Sequence, residues 1–133
     1  LDFADEARVT AALATIMRRI VVDVARRETA SKRGGDMSRV GLHAEDVPGR
    51  AEAVDAVELE DALLALGAVS SECARVAELR LWGGMELEQI ATALDMPFSR
   101  VRSRWNRAKA WLSRELGDAT PTATSEGPTD GGA

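Results

Sequence analysis

The apolar residues of the chain recur mainly three and four positions apart, the spacing that places side chains on one face of an α-helix. The pattern is longest between Asp2 and Ala30, where it predicts a single long helix. Its apolar positions are Val9, Leu13, Ile16, Ile20 and Val24. Basic residues and then Gly34 and Gly35 follow this stretch. That composition is typical of a helix C-terminus, so we expect the helix to end there.

Four shorter helices are predicted in the rest of the chain. Gly67 marks the end of the second helix, and Ser70 or Ser71 caps the third. A tight turn, Asp-Met-Pro at 95–97, separates the fourth helix from the fifth. The expected limits are about 51–66 for the second helix, the capping serine to Leu81 for the third, 86–94 for the fourth and 98–116 for the fifth.

Composition agrees with an all-α fold, because Ala, Leu, Arg and Glu favour helix and the chain has two Phe and no Tyr. Residues 38–50 contain Gly and Pro and no periodic apolar pattern, so they are interpreted as a flexible linker. The tail at 117–133 is acidic and rich in Ala, Thr, Pro and Gly, which is typical of disorder. The predicted organisation is an N-terminal helical segment at 1–37, the linker, a four-helix domain at 51–116 and the tail.

Charge is distributed unevenly along the chain. The net charge of −5 argues against a general nucleic-acid binder. Eight Lys and Arg oppose three acids in 8–39, one Arg opposes seven acids in 42–61, and six Lys and Arg oppose one Glu in 97–116. Two basic blocks flank an acidic one, so we expect two contact surfaces for phosphates, with the acidic block kept away from them.

Candidate catalytic and metal-binding groups are scarce. Cys73 and His43 are single residues of their kinds, which excludes an internal disulfide and a structural zinc site built from them alone. A nucleophile–base pair between them is a remote alternative, and Cys73 is expected to be a small buried side chain. We therefore predict no enzymatic activity and no cofactor. No segment is long and apolar enough to span a membrane, and no signal peptide is present, so a cytoplasmic location is expected.

The fourth and fifth helices with their short turn form a helix-turn-helix pattern. Ile90, Ala91 and Leu94 are expected to pack one helix on the next. At about 100° per residue, one stripe of the fifth helix is apolar and is predicted to be buried. It consists of Phe98, Val101, Trp105, Ala108 and Leu112.

The opposite face of the fifth helix is basic and polar. Arg can bind a guanine edge through two hydrogen bonds and Asn an adenine edge, so this face is predicted to enter the major groove of DNA. The candidate DNA-binding residues are Arg100, Arg102, Ser103, Arg104, Asn106, Arg107 and Lys109. The alternative is a solvated basic face without a ligand. The lack of acids before Glu115 favours DNA.

The sequence from Trp82 to Ala108 resembles a known family. The segments Trp-Gly-Gly-Met-Glu-Leu-Glu-Gln-Ile-Ala at 82–91, Leu-Asp-Met-Pro at 94–97 and Val-Arg-Ser-Arg-Trp-Asn-Arg-Ala at 101–108 are similar to the C-terminal domain of extracytoplasmic-function (ECF) sigma factors. The resemblance covers about 59–116. The Arg-Ala-Lys-Ala-Trp-Leu stretch at 107–112 resembles an ECF-like branch.

The resemblance implies binding to an upstream, −35-type promoter element together with core RNA polymerase, under control of an anti-sigma factor in some cases. By position, Arg102, Ser103 and Asn106 would contact base edges, with Arg107 and Lys109 near phosphates. Glu86 and Gln89 would lie near the DNA backbone. Arg100 stands where Thr is common in the family, and Asn106 occupies a variable position.

The N-terminal half resembles the family less closely. Residues 17–27 are similar to the end of the sigma domain that melts the downstream promoter element, with Asp23 and Arg26 at the family's spacing and Arg19 where Asn is common. The helices that usually precede this segment and grip the polymerase are mostly missing from the sequence, which starts with Leu. The expectation is therefore an N-terminally incomplete sigma factor. A solvated basic helix is the alternative for 8–39.

Two rival functions remain open on the sequence. One is a stand-alone helix-turn-helix regulator that needs no polymerase. The other is an interaction module whose helix faces bind a protein such as an anti-sigma factor. DNA binding that weakens steeply with salt would separate the first from the second, and transcription with core polymerase would separate a sigma factor from both.

Overall fold

A computed structural model describes residues 2–30, 39–40 and 54–117. Five helices account for most of these residues: α1 Phe3–Ala30, α2 Ala56–Val69, α3 Ser71–Leu81, α4 Leu87–Leu94 and α5 Phe98–Gly117. Two two-residue strands, β1 Arg39–Val40 and β2 Val54–Asp55, pair antiparallel. The predicted all-α fold is confirmed. The flexible linker and the division into domains stay predictions, and most of 38–50, the tail at 118–133 and His43 lie outside the described residues.

Helix α2 differs most from its prediction. It begins at Ala56 instead of residue 51, because β2 precedes it and the Asp55 carboxylate caps it by accepting the backbone N–H of Val57 at 2.7 Å. It also continues through Gly67 to Val69, so the predicted stop at Gly67 is wrong. The true boundary is Ser70, whose hydroxyl accepts the N–H of Cys73 at 3.2 Å and starts α3 as expected.

The core lies where α2, α3 and α5 meet. Leu59 and Leu66 of α2, Leu79 of α3 and Leu112 of α5 are fully or almost fully buried. Cys73 is buried among them, as its apolar neighbours in the sequence indicated. Burial of such side chains contributes about 1.5–3 kcal/mol each, which makes this core the main source of stability.

Helix α1 packs against the other helices, chiefly against α4, through its small side chains. The buried positions on this face are Ala7, Ala11, Ala14, Val22 and Ala25. The large apolar stripe that defines α1 in the sequence lies on the other side. Of that stripe, Val9, Leu13, Ile16 and Ile20 are 49–57% exposed. The helix is present as predicted, but its alanine face is the one that contacts the protein.

An ion cluster fastens α1 to α2 and α3. The Arg18 guanidinium donates to both Glu60 carboxylate oxygens at 2.6 and 2.7 Å and to Glu78 at 2.6 Å, and Arg75 donates to Glu78 at 2.7 Å. Burial lowers the pKa of Arg18, but its hydrogen bonds to Glu60 and Glu78 and the charges of both carboxylates outweigh that effect and raise the pKa above its ordinary value. Arg18 is therefore a permanent cation between two largely buried anions.

Candidate nucleic-acid interface

A left-handed residue creates the turn between α4 and α5. Asp95 has φ 56° and ψ 49°, and the next N–H, that of Met96, donates to the carbonyl oxygen of Ala91 at 2.9 Å. Pro97 then precedes α5, and its carbonyl accepts the N–H groups of Arg100 and Val101. These local bonds reverse the chain within three residues, so α4 and α5 form the predicted helix-turn-helix.

The inner faces of the two helices contact the core. Ile90 is fully buried, and Ala91 and Leu94 are partly buried against the core, as predicted. On α5 the buried positions include Val101, Trp105, Ala108 and Leu112, which confirms the periodic stripe. Phe98 is the exception: it was predicted to be buried and is 43% exposed. It occupies the first position of α5, where the helix has only begun to pack.

Five of the seven candidate DNA-binding residues are exposed. Four of them lie on the outer face of α5, namely Arg102, Ser103, Asn106 and Arg107, and the fifth, Arg100, lies on its flank. In the described part of the chain, neither Arg102 nor Arg107 forms an ion pair or a hydrogen bond with another side chain. Two unpaired guanidinium groups therefore stand on the outer side of the helix, with two short polar side chains between them in the sequence. This is an arrangement that can accept phosphate oxygens and base edges together.

Arg100 and Arg104 differ from these, because both bind Glu72 at the start of α3. Arg100 donates its Nη2 at 2.6 Å and its Nε at 3.3 Å, and Arg104 donates its Nε at 2.8 Å. The hydrogen bond from Arg104 is the largest influence on the Glu72 carboxyl and lowers its pKa. Desolvation raises the pKa, but the hydrogen bond from Arg100 and the charges of both arginines add to the lowering, so the net shift is downward. Sequence reasoning missed this residue. Its partners lie 28 and 32 positions away, and no local pattern indicates such a contact.

The remaining candidate, Lys109, lies beside the buried indole of α5. Its Nζ is 5.9 Å from the ring centroid of Trp105, and Arg80 of α3 lies at the same distance from that ring. Such contacts contribute about 0.5–1 kcal/mol at exposed sites. Lys109 is half-buried.

Glu86, the residue just before α4, and Gln89 in the first turn of α4 form a capping box. The N–H of Glu86 donates to the side-chain oxygen of Gln89 at 3.0 Å, which stabilises the N-terminus of α4. Their contact with the DNA backbone, implied by the family resemblance, stays a prediction. The geometry gives them a structural role in holding the first helix of the helix-turn-helix.

Metal binding and membrane insertion were also considered for the described ranges. Within them, no three His, Cys, Asp or Glu side chains come together as a metal-binding group. None of the described helices has the length and apolar character needed to cross a membrane.

A basic second helix on a helix-turn-helix defines the class of nucleic-acid-binding helical proteins. Comparison with family models is more specific: the model described as ECF sigma factor matches residues 1–118. Comparisons with curated proteins and with solved structures gave no match. The match covers most of the chain. It includes α1, whose sequence resembles the family less closely than that of the C-terminal domain does.

The chain belongs to the ECF sigma factor family. Sigma factors of this family initiate transcription, with core RNA polymerase and DNA as their partners, and are not enzymes. This confirms the resemblance found in the sequence. The promoter element, the residues that contact it and any anti-sigma partner are not determined by family membership.

Proposed function

We propose that this protein directs core RNA polymerase to promoters by binding a −35-type element with α5. The observation that carries the proposal is the exposed face formed by Arg102, Ser103, Asn106 and Arg107, whose two arginines have no acidic partner among the described residues. Arg and Asn are suited to guanine and adenine edges in the major groove. Arg102, Ser103 and Asn106 contact bases, and Arg107 and Lys109 contact phosphates. Because its partners are core polymerase and the chromosome, the protein acts in the cytoplasm.

Insertion of α5 into the groove agrees with the anchoring of its opposite face. Val101 and Trp105 fix the helix in the core, so the exposed side chains project from a rigid support. The turn at Asp95 keeps α4 close to α5 at its N-terminal end, which is the end that meets base edges in helix-turn-helix proteins. Helix α2, which carries part of the acidic block, packs on α5, and its Glu60 is engaged by Arg18.

Transcription in vitro tests the proposal. The full chain is mixed with core polymerase free of other sigma factors and with a library of genomic fragments, and the 5′ ends of the transcripts are sequenced. We expect a common upstream element in the transcribed fragments. Specific DNA binding without transcripts would favour a stand-alone regulator instead. Absence of any salt-dependent DNA binding would favour a protein-binding module and would overturn the proposal.

A further inference from the structure

The arginines of α5 fall into two groups that differ in how their guanidinium groups are held. Arg102 and Arg107 are exposed and without an acidic partner in the described part of the chain. Arg100 and Arg104 share one carboxylate, that of Glu72. The latter two lie one helical turn apart on the same flank of α5, beside the exposed face. Glu72 reaches them from the first turn of α3, where the helix dipole also favours an anion.

The atoms that form these ion pairs leave the outer edges of both guanidinium groups available. Arg104 binds Glu72 through Nε alone, and Arg100 through Nε and Nη2. The carboxylate therefore occupies the inner edge of each group. Among the described residues, no side chain or backbone group accepts a hydrogen bond from Nη1 of Arg100 or from either Nη of Arg104. Both Nη atoms of Arg104 can still donate to two acceptor atoms of a ligand, and so can Nη1 of Arg100 together with the second N–H of its Nη2.

We propose that Glu72 is a positioning residue that holds Arg100 and Arg104 with their outer edges toward DNA and thereby increases discrimination between promoter sequences. The proposal rests on the proposed binding of DNA by α5. A free arginine side chain must lose rotamer freedom when it binds, whereas these two are already restricted by the shared carboxylate. The restriction favours a ligand whose acceptors match the fixed positions of the nitrogens, and gives less advantage to binding at arbitrary sites.

The shared carboxylate also reduces the net positive charge of this flank. Two arginines and one glutamate leave a single positive charge, and the lowered pKa of Glu72 keeps its carboxyl ionised at neutral pH. Non-specific binding to DNA depends on phosphate contacts and counterion release, so it is weaker than two free arginines would give. Glu72 thus has two effects on DNA binding. It favours binding to the correct site, and it weakens binding to random DNA.

The acceptor pair bound by these arginines is either a guanine edge or a phosphate, and the two are distinguished by sequence dependence. A site is first selected for the full-length parent from randomised duplexes. Affinities for that site and for a scrambled duplex are then measured over a range of salt concentrations for the parent, Glu72→Gln and Glu72→Asp. Glu115→Gln is the matched control, because Glu115 is exposed near the other end of α5 and undergoes the same loss of one charge.

For Glu72→Gln we expect affinity for the scrambled duplex to rise and the magnitude of the salt slope to increase by about 0.9. The ratio of selected-site to scrambled-site affinity should fall about tenfold, the order of the side-chain entropy that the carboxylate removes beforehand. Glu72→Asp keeps the charge but is one methylene shorter. It should retain the parent's salt slope and lose part of the discrimination. The control should keep the parent's discrimination.

An unchanged ratio in Glu72→Gln would overturn the proposal. So would an equal loss of affinity for both duplexes together with a lower melting temperature, which is the result expected if Glu72 only stabilises the fold. A fall in affinity at both sites by the same factor, with intact folding, would assign the arginines to phosphate and remove the specificity role. If the parent selects no sequence at all, the proposed function fails first, and this proposal fails with it.

Discussion

The backbone of Gly83 lies directly against the methyl group of Ala14. A Cβ atom at Gly83 would be 2.9 Å from the Ala14 Cβ and 2.7 Å from the carbonyl oxygen of Leu79. Glycine at this position therefore permits the close approach of α1 to the connection between α3 and α4.

Replacement of Gly83 by Ala is expected to lower the free energy of unfolding by about 1–3 kcal/mol, because the added methyl group forces α1 or the α3 terminus to shift. Urea denaturation measures the loss. Gly84→Ala is the comparison: Gly84 has φ +63°, and a methyl group added there would meet no atom within 4 Å, so its cost of about 1 kcal/mol comes from the backbone alone. When Ala14→Gly is added, it should partly restore the stability of Gly83→Ala and leave that of Gly84→Ala unchanged. If Ala14→Gly changes the stability of both variants equally, the packing argument is contradicted.

Arg18→Met is expected to destabilise the protein by about 3 kcal/mol, because Glu60 then loses its cation and remains as a largely buried carboxylate. Arg26→Met provides the matched control. Arg26 pairs with Asp61 at 3.4 Å, but both side chains are well exposed, so its removal should change stability by less than about 0.5 kcal/mol. Thermal denaturation followed by circular dichroism compares them. Similar melting temperatures for the two variants would show that the cluster does not fasten α1.

Arg102→Ala is expected to cost about 1–3 kcal/mol on the preferred DNA site and to relax sequence preference at the contacted position. Arg107→Ala should instead weaken binding to all DNA by a similar factor, because a phosphate contact carries no sequence information. Fluorescence anisotropy with matched and altered duplexes measures both effects. Parent-like affinity of the Arg102 variant for the preferred site would refute its assignment to base contact.

The contribution of Glu72 to stability is expected to depend on pH. Because the folded protein lowers the pKa of this carboxyl, its ion pairs stabilise the fold fully above the ordinary glutamate pKa. That stabilisation is lost as the pH falls through the lowered value. The melting temperature of Glu72→Gln should therefore lie below that of the parent at pH 7 and approach it below about pH 4. A gap that stays constant over this range would mean that the charge of Glu72 is not responsible, and Glu115→Gln reports the effect of an acid without these partners.

The helix-turn-helix was predictable because its signals are local. The turn at 95–97 and the apolar stripe of α5 each depend on residues only a few positions apart. Helix α2 was less predictable. Gly67 indicated an end, but a Cβ there would meet only the Ala74 side chain at an ordinary 3.6 Å, and the stronger capping group, Ser70, lies three residues later.

Periodicity also identified α1 without indicating which of its faces would be buried. The large stripe through Leu13 and Ile16 has the stronger pattern, yet the close approach at Gly83 requires small residues, and only the alanine face provides them. The pairing of Glu72 with Arg100 could not be predicted from the sequence for a related reason. It joins residues that come together only when α3 packs on α5, and every predicted role of Arg100 assumed an unpaired side chain.

The alanine face of α1 has a thermodynamic consequence. A methyl group removes far less hydrocarbon from water than a leucine side chain, so the alanines of α1 themselves add little apolar surface to water when α1 separates from the other helices. Their contribution to the heat-capacity change of that step is correspondingly small. The ion pairs of Arg18 with Glu60 and Glu78 are largely buried, so salt screens them little, and the attachment of the first helix should respond only weakly to ionic strength.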